Sequence, residues 1–123
     1  MARIERFEDI RAWQEARALT NLVYDTIATG SFARDFGLRD QIQRATVSVM
    51  ANIAEGFDRN SKKEFIRFLG YSLSSVSEVK SHLYVALDRK YLSAEQFKTV
   101  FDQAENVSKT LTGFIKYLRT KAK

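Results

Sequence analysis

Apolar residues recur at steps of three and four along most of the chain, which is the spacing of amphipathic helices. The pattern predicts four helices, over residues 8–29, 36–57, 61–90 and 93–121. The links between them are short, and short links make consecutive helices run antiparallel. We therefore expect an all-α fold in which residues 1–123 form one domain, an up-down-up-down four-helix bundle.

Two short motifs support the starts of the third and fourth predicted helices. Ser61 is followed three residues later by Glu64, and Ser93 is followed in the same way by Gln96. This is the spacing of the capping box, in which the serine and the acid or amide satisfy each other's free backbone amides. Gly30 is a plausible C-terminal stop for the first helix, with Ser31 and Phe32 in the link that follows.

The second predicted helix carries more apolar surface than a bundle helix needs. Its apolar arc is roughly 200° wide, whereas a surface helix needs about 100°. Its main face contains Leu38, Ile42, Ala45, Val49, Ile53 and Gly56, and a second strip beside it contains Val47, Met50, Ala54 and Phe57. Two interpretations stay open, a deeply buried core helix and a helix that also forms an interface with another copy.

The third predicted helix is rich in serine. Serine is a mediocre helix former, so that these residues weaken the helix locally. They are Ser72, Ser74, Ser75, Ser77 and Ser81. Ser72 and Ser75 lie toward the apolar side and favour close packing of helices, whereas the other three favour solvent or a partner subunit.

Composition narrows the class of protein. Proline and cysteine are absent, so long helices can run unbroken, and disulfides and thiolate metal sites are excluded. No apolar run has the length of a signal peptide or of a membrane span. We expect a cytoplasmic protein with no membrane partner. The net charge of +5 and the pI of about 9.6 favour polyanionic partners.

Residues suited to catalysis or metal binding are scarce. His82 is the only histidine, and a di-metal site in a helical bundle needs two Glu-x-x-His motifs. The five glycines are scattered singly, so there is no phosphate-binding loop. Within the stretch of the second predicted helix around Asn52 to Gly56, Glu55 is the one carboxylate that could be partly buried, and its position near Arg44 and Arg59 favours an ion-pair network over a general base. We expect no enzymatic activity, no cofactor and no metal.

Basic residues fall into two groups. The turn group is Arg59, Lys62, Lys63 and Arg67, with Arg44 further back along the second helix, and the tail group is Lys116, Arg119, Lys121 and Lys123. Lysines at a helix C-terminus offset the helix dipole, which is a structural explanation for the tail group. Lys62 and Lys63 oppose the dipole at a helix start, which favours contact with phosphate. No base-reading motif is present, so that RNA binding would depend on shape and on salt.

Several stretches together carry a family resemblance. The strongest is Ala45 to Ser48 with Asn52-Ile53-Ala54-Glu55-Gly56, followed by Arg59, Lys63-Glu64-Phe65 and Phe68-Leu69. The chain resembles the four-helix-bundle proteins encoded by intervening sequences of bacterial 23S ribosomal RNA genes, a family related to accessory proteins of diversity-generating retroelements. The family signature corresponds here to Asn52, Glu55, Gly56 and Arg59. One departure is Ser74, where relatives often carry glycine.

The resemblance implies a homopentamer shaped as a barrel and a non-enzymatic role linked to RNA. The first hypothesis is an oligomeric scaffold that binds RNA or an RNA/DNA hybrid through the two basic groups. The second is a protein-interaction module that acts as an accessory subunit of a nucleic-acid enzyme such as a reverse transcriptase. A weaker third hypothesis is a small-ligand sensor, although the bulky apolar core residues leave little room for a cavity.

Overall fold

The computed structural model describes residues 3–121, and within this range it contains helices and no strand. A single 3-10 turn, Phe7–Asp9, precedes five α-helices. They are α1 (Arg11–Ile27), α2 (Gly30–Arg34), α3 (Phe36–Asp58), α4 (Lys62–Asp88) and α5 (Ala94–Thr120). The expectation of an all-helical fold is confirmed.

The first long helix begins at Arg11 rather than at residue 8. The Asp9 carboxylate accepts a hydrogen bond from the backbone amide of Arg6 at 3.3 Å and closes the 3-10 turn. Ile10 then adopts an extended conformation, with φ −79° and ψ 122°, which separates the turn from α1. The periodic pattern ran through this break because Phe7 and Ile10 are both apolar and both pack on the core.

The link after the first helix contains a five-residue helix, α2, that the sequence pattern did not predict. Gly30 begins it with a φ of +69°, a conformation that glycine adopts without strain. Phe32 of α2 is 1% exposed and lies 5.4 Å from the ring of Tyr91. The Tyr91 hydroxyl donates to the Asp35 carboxylate at 2.9 Å, and Asp35 also accepts from the amide of Leu38 as the N-cap of α3. One turn of helix is too short to show periodicity.

The two predicted capping boxes have different outcomes. At α5 the box is complete, since the Ser93 hydroxyl accepts from the Gln96 amide at 3.0 Å and the Ser93 amide donates to the Gln96 side chain at 2.9 Å. At α4 only half of it forms. The Ser61 hydroxyl accepts from the Glu64 amide at 3.2 Å, but the Glu64 carboxylate pairs with Arg67 instead.

The four long helices share one continuous core. α1 packs against α3 and α5, and α4 packs against the same two helices. Among the fully buried side chains are Leu19, Val49, Ile53, Leu69, Val76, Leu83 and Leu111. Burying one such side chain contributes about 1.5–3 kcal/mol. Ile115 of α5 is also buried, and its neighbour Phe114 is half-buried.

Small polar residues allow α3 and α4 to approach closely. Ser72 is fully buried, and its hydroxyl donates to the carbonyl of Val49 at 2.9 Å. The hydroxyls of Ser48 and Ser75 lie 3.0 Å apart across the same pair of helices. Buried hydroxyls need such partners, so that Ser72 and Ser75 join the two helices as the sequence pattern predicted.

The second apolar strip of α3 is only partly covered by this chain. Met50 and Phe57 are half-buried against the core, but Val47 is 42% exposed. Tyr24 of α1, which is 41% exposed, lies on the same surface. α3 therefore retains an apolar outer face.

Candidate nucleic-acid interface

The turn group and the tail group meet at one end of the bundle. The ammonium of Lys62, in the first turn of α4, donates to the backbone carbonyl of Lys121 just after α5, at 2.6 Å. Nearby, the rings of Phe65 and Phe114 pack edge to face with centroids 5.5 Å apart. We call the exposed set Lys62, Lys63, Lys116, Arg119 and Lys121 the basic end. Lys123 lies outside the described residues.

The lysines of the basic end have few acidic partners. Between residues 3 and 121, Lys62, Lys63 and Lys116 form no ion pair within 4 Å of a carboxylate oxygen. Lys62 and Lys63 are the first two residues of α4, after the N-cap Ser61, where a positive charge opposes the helix dipole. Their charges do not stabilise α4, and no carboxylate among the described residues offsets them, although the Lys62 ammonium is bonded to the Lys121 carbonyl. Both charges can therefore attract an anion.

The two arginines of the turn group have a different environment. Arg59 pairs with Glu55 and Arg67 pairs with Glu64, each at 3.2 Å. Both guanidinium groups also lie over the ring of Phe68, at 4.8 and 5.7 Å from its centroid. The carboxylates partly offset the charge of these arginines, and the Phe68 ring covers one face of each guanidinium group. The arginines therefore stabilise the α3–α4 turn more than they attract phosphate.

Arg44 does not join the turn group. It lies fifteen residues before Arg59 on the same helix, which is about 22 Å at 1.5 Å per residue. It borders an open depression of about 670 Å³ on the outer face of α3. Tyr24, Val47 and Ala51 supply the apolar part of this depression, and Asp40 and Glu55 lie with Arg44 among its polar residues.

Two signature residues fix the crossing of α3 and α4. A β-carbon at Gly56 would lie 2.5 Å from the β-carbon of Phe68, so that only glycine permits this approach. Arg59 covers the same Phe68 ring. Asn52 instead donates to the carbonyl and hydroxyl of Ser48, at 2.9 and 3.0 Å. Glu55 is more exposed than buried, with a side chain that is 57% exposed, and it forms the ion pair with Arg59 that the sequence favoured.

The opposite end of the bundle has balanced charges. It is formed by α2 and the turn between α4 and α5, which the hydrogen bond between Tyr91 and Asp35 joins. Its basic residues are Arg34, Arg39, Arg89 and Lys90, and its acidic residues are Asp35, Asp40, Asp88 and Glu95. The basic end therefore has an excess of positive charge that this end lacks.

His82 has a local partner and no metal-site neighbours. Its Nε2 lies 3.4 Å from the carboxylate of Glu78, one turn earlier on α4. In the part of the chain that the structure describes, no three histidine, aspartate or glutamate side chains gather where they could hold a metal ion. Nor is any helix of residues 3–121 long and apolar enough to cross a membrane.

Comparisons with known proteins agree with the resemblance noted in the sequence. The model of the family described as 23S rRNA-intervening sequence protein matches residues 8–113. The fold is similar to the 1.70 Å crystal structure of a protein of unknown function from the S23 ribosomal protein family of Bacteroides thetaiotaomicron. The TM-score is 0.78 at 22% identity, over 85% of this chain and 98% of that chain. The comparison with curated proteins gives no match.

Proposed function

The chain belongs to the 23S rRNA-intervening sequence protein family, and from this premise we propose that it is a non-enzymatic, cytoplasmic, oligomeric scaffold that binds RNA, or an RNA/DNA hybrid, through its basic end. The observation that carries the proposal is the contact between Lys62 and Lys121, which joins two basic groups that lie far apart in the sequence. Five exposed cationic side chains then share one surface.

The basic end contacts phosphates and not base edges. Four of its five residues are lysines, which act as mobile point charges, whereas arginine recognises phosphate through a planar, bidentate fork. Binding of this kind releases counterions, and affinity therefore falls steeply as salt rises. The wide, shallow groove of an RNA helix or an unpaired strand presents such phosphates without a sequence code.

The test compares two triple variants that remove the same number of charges. One carries Lys62→Gln, Lys63→Gln and Lys116→Gln at the basic end. The matched control carries Arg34→Gln, Lys90→Gln and Lys98→Gln, near the opposite end. Each variant is titrated with a fluorescein-labelled RNA strand over a series of salt concentrations.

Each phosphate contact to a single strand contributes about 0.7 to the slope of log K against log salt, so the basic-end variant loses about 2 from this slope. The control variant keeps the slope of the unmodified protein. Equal slopes for both variants would show that binding is not located at the basic end. No retention of RNA at low salt by the assembled protein would refute the RNA proposal itself.

The proposal includes an antiparallel up-down-up-down arrangement of the four long helices. Residue pairs in contact support it, because the residue number of one partner decreases as the residue number of the other increases. Phe65 contacts Phe114, Lys80 pairs with Glu105, and Tyr84 contacts Phe97. The same trend joins α3 to α4, from Ser48 with Ser75 to Phe57 with Phe65.

We also propose that the outer face of α3 is the interface between copies, and that the assembly is a homopentamer, as the family resemblance implies. The exposed apolar surface of Tyr24, Val47 and Ala51 supports this, because contiguous apolar surface bordered by polar residues is typical of an interface. We expect Val47→Glu to lower the mass measured by light scattering. Val85→Glu, at a valine that is 43% exposed on α4, is the matched control and keeps the mass. An unchanged mass for both variants contradicts the interface.

One observation favours the accessory-subunit alternative. A groove of about 410 Å³ between α4 and α5 is lined by Ile66, Leu73 and Ile115, with Lys116 and Arg119 among its polar residues. Such a groove fits the apolar face of an acidic helix from a protein partner. If a reverse transcriptase is encoded beside this chain and co-purifies with it, Leu73→Glu should break the complex. Persistence of the complex would exclude this groove.

A further inference from the structure

An apolar crevice opens next to the basic end. It lies between the N-terminal segment, the start of α1 and the last turns of α5, and its volume is about 270 Å³. Its walls are almost entirely apolar and come from Ile4, Ile10, Ala12, Phe114 and Tyr117, with Gly113 on α5 and the polar residues Arg11 and Thr110. An accessible apolar crevice beside a cluster of exposed lysines suits a ligand that combines an apolar face with negative charge.

The aromatic wall of the crevice is partly exposed and borders Lys121. The rings of Phe114 and Tyr117 are within 20° of parallel, with centroids 6.5 Å apart. Tyr117 is 40% exposed. The ammonium of Lys121 lies 5.4 Å from the Tyr117 ring centroid and donates to its hydroxyl at 3.2 Å. A planar group that packs on Tyr117 therefore lies next to the ammonium of Lys121.

The size of the crevice suits one planar ring system. An apolar cavity of about 150 Å³ holds benzene, whereas sites for drug-sized ligands are about 300–1,000 Å³. At Gly113 no atom lies within 4 Å of the position that a β-carbon would take, so that the space above the helix is open there. A purine or pyrimidine fits such a space, and a complete cofactor does not.

We propose that this crevice receives an unpaired base of a bound RNA strand, which stacks on Tyr117 while the adjacent phosphates contact Lys121 and Lys62. The proposal rests on the proposed RNA-binding function and names the part of the RNA that this surface selects. Stacking on an aromatic ring is tolerant of sequence, because every base has a π-face. A base inside a duplex is not available for it, so the crevice gives single strands an advantage over duplexes.

Gly113→Leu is the central test. Leucine is a good helix former, and its β-carbon would have no atom within 4 Å at this position. The variant is therefore expected to fold, with the rest of the leucine side chain filling the crevice. Gly37→Leu is the matched control, because Gly37 is an exposed helical glycine at the opposite end of the bundle, and its β-carbon would meet only the Asp35 carboxylate, at an ordinary contact distance of 3.9 Å. The probe is an oligoadenylate that contains one fluorescent adenine analogue, used alone and paired with oligouridylate.

We expect Gly113→Leu to bind the single strand about 5- to 150-fold more weakly, the range that stacking of one base supplies. Its affinity for the duplex stays unchanged, and the fluorescence change of the analogue on binding is lost. The unmodified protein and Gly37→Leu behave alike. If Gly113→Leu fails to fold, Tyr117→Ala and Tyr117→Phe replace it, since the alanine variant loses the stacking surface and the phenylalanine variant keeps it.

The outcomes separate the two proposals. If no protein retains RNA, the proposed function fails and the base-binding crevice fails with it. If all proteins bind the single strand equally, with the same fluorescence change, the crevice does not bind a base, while RNA binding stands. A lower mass of Gly113→Leu in light scattering, with unchanged RNA affinity, also overturns the inference and indicates that the crevice holds a second copy of the chain.

Discussion

Replacing Gly56 with alanine tests whether α3 and α4 must approach as closely as they do. The added β-carbon would lie 2.5 Å from the β-carbon of Phe68, and 3.2 and 3.3 Å from ring carbons of Phe65 and Phe68. The closest of these atoms is attached directly to the backbone of α4. A change of side-chain rotamer therefore does not relieve the contact, and the helices themselves must separate.

The magnitude follows from two opposing effects. Forcing an extra methyl group into a packed contact costs about 1–3 kcal/mol. Replacing glycine with alanine inside a helix raises the unfolding free energy by about 1 kcal/mol. The net loss of unfolding free energy is therefore about 1 kcal/mol, and up to about 2. Gly70→Ala and Gly113→Ala gain the same helix propensity without a new contact, because no atom lies within 4 Å of the β-carbon that alanine would add at either position.

The assay is urea denaturation followed by circular dichroism, at one fixed protein concentration because association shifts apparent stability. The three variants share the helical gain, so the difference between Gly56→Ala and the other two isolates the contact with α4. We expect this difference to be about 1–3 kcal/mol. If Gly56→Ala is as stable as Gly70→Ala, the two helices adapt without cost and the signature glycine has another role.

Three further predictions concern the opposite end of the bundle. Asp35→Ala removes the N-cap of α3, which should lower the unfolding free energy in urea by about 1–2 kcal/mol; an unchanged midpoint contradicts it. The hydrogen bond to Asp35 raises the pKa of Tyr91 above its usual value of 10.0. The neutral phenol is the stabilised form, so its contribution is complete below that value and is lost as pH rises through the raised pKa. As pH rises through this range, the unfolding free energy of Tyr91→Phe, measured by urea titration, should therefore fall less than that of the unmodified protein. Parallel curves of unfolding free energy against pH for the two proteins would refute this. Lys90→Gly relieves a φ of +63°, which should raise the unfolding free energy by about 1 kcal/mol and with it the melting temperature.

Long-range periodicity made the four long helices predictable from the sequence. Each of them repeats its apolar spacing over four or more turns, and tertiary packing does not need to be known to read it. The short helix α2 has five residues and one buried side chain, Phe32, so that no repeat exists to be recognised. The break before α1 was missed for the related reason that Phe7 and Ile10 continue the apolar spacing through it.

The candidate site was predictable only in part, because its pieces come from distant positions. Sequence identified the turn group and the tail group separately, and only the structure joins Lys62 to Lys121. The crevice needs Ile4, Gly113 and Tyr117 together, and no local pattern connects residues more than a hundred positions apart. The sequence already placed Arg44 further back along the second helix, and the length of α3 keeps it away from the basic end.

The proposed assembly explains how a chain with a modest positive charge can bind a polyanion such as RNA. A single chain presents one basic end with five exposed cationic side chains, and its arginine neighbours Arg59 and Arg67 are already paired with acids. Repeating this end around a ring makes the second and later phosphate contacts intramolecular, which raises affinity without any new kind of contact. The outer face of α3 and the basic end therefore depend on each other. Val47→Glu leaves every cationic residue in place, and in this arrangement it weakens RNA binding only by removing the repetition.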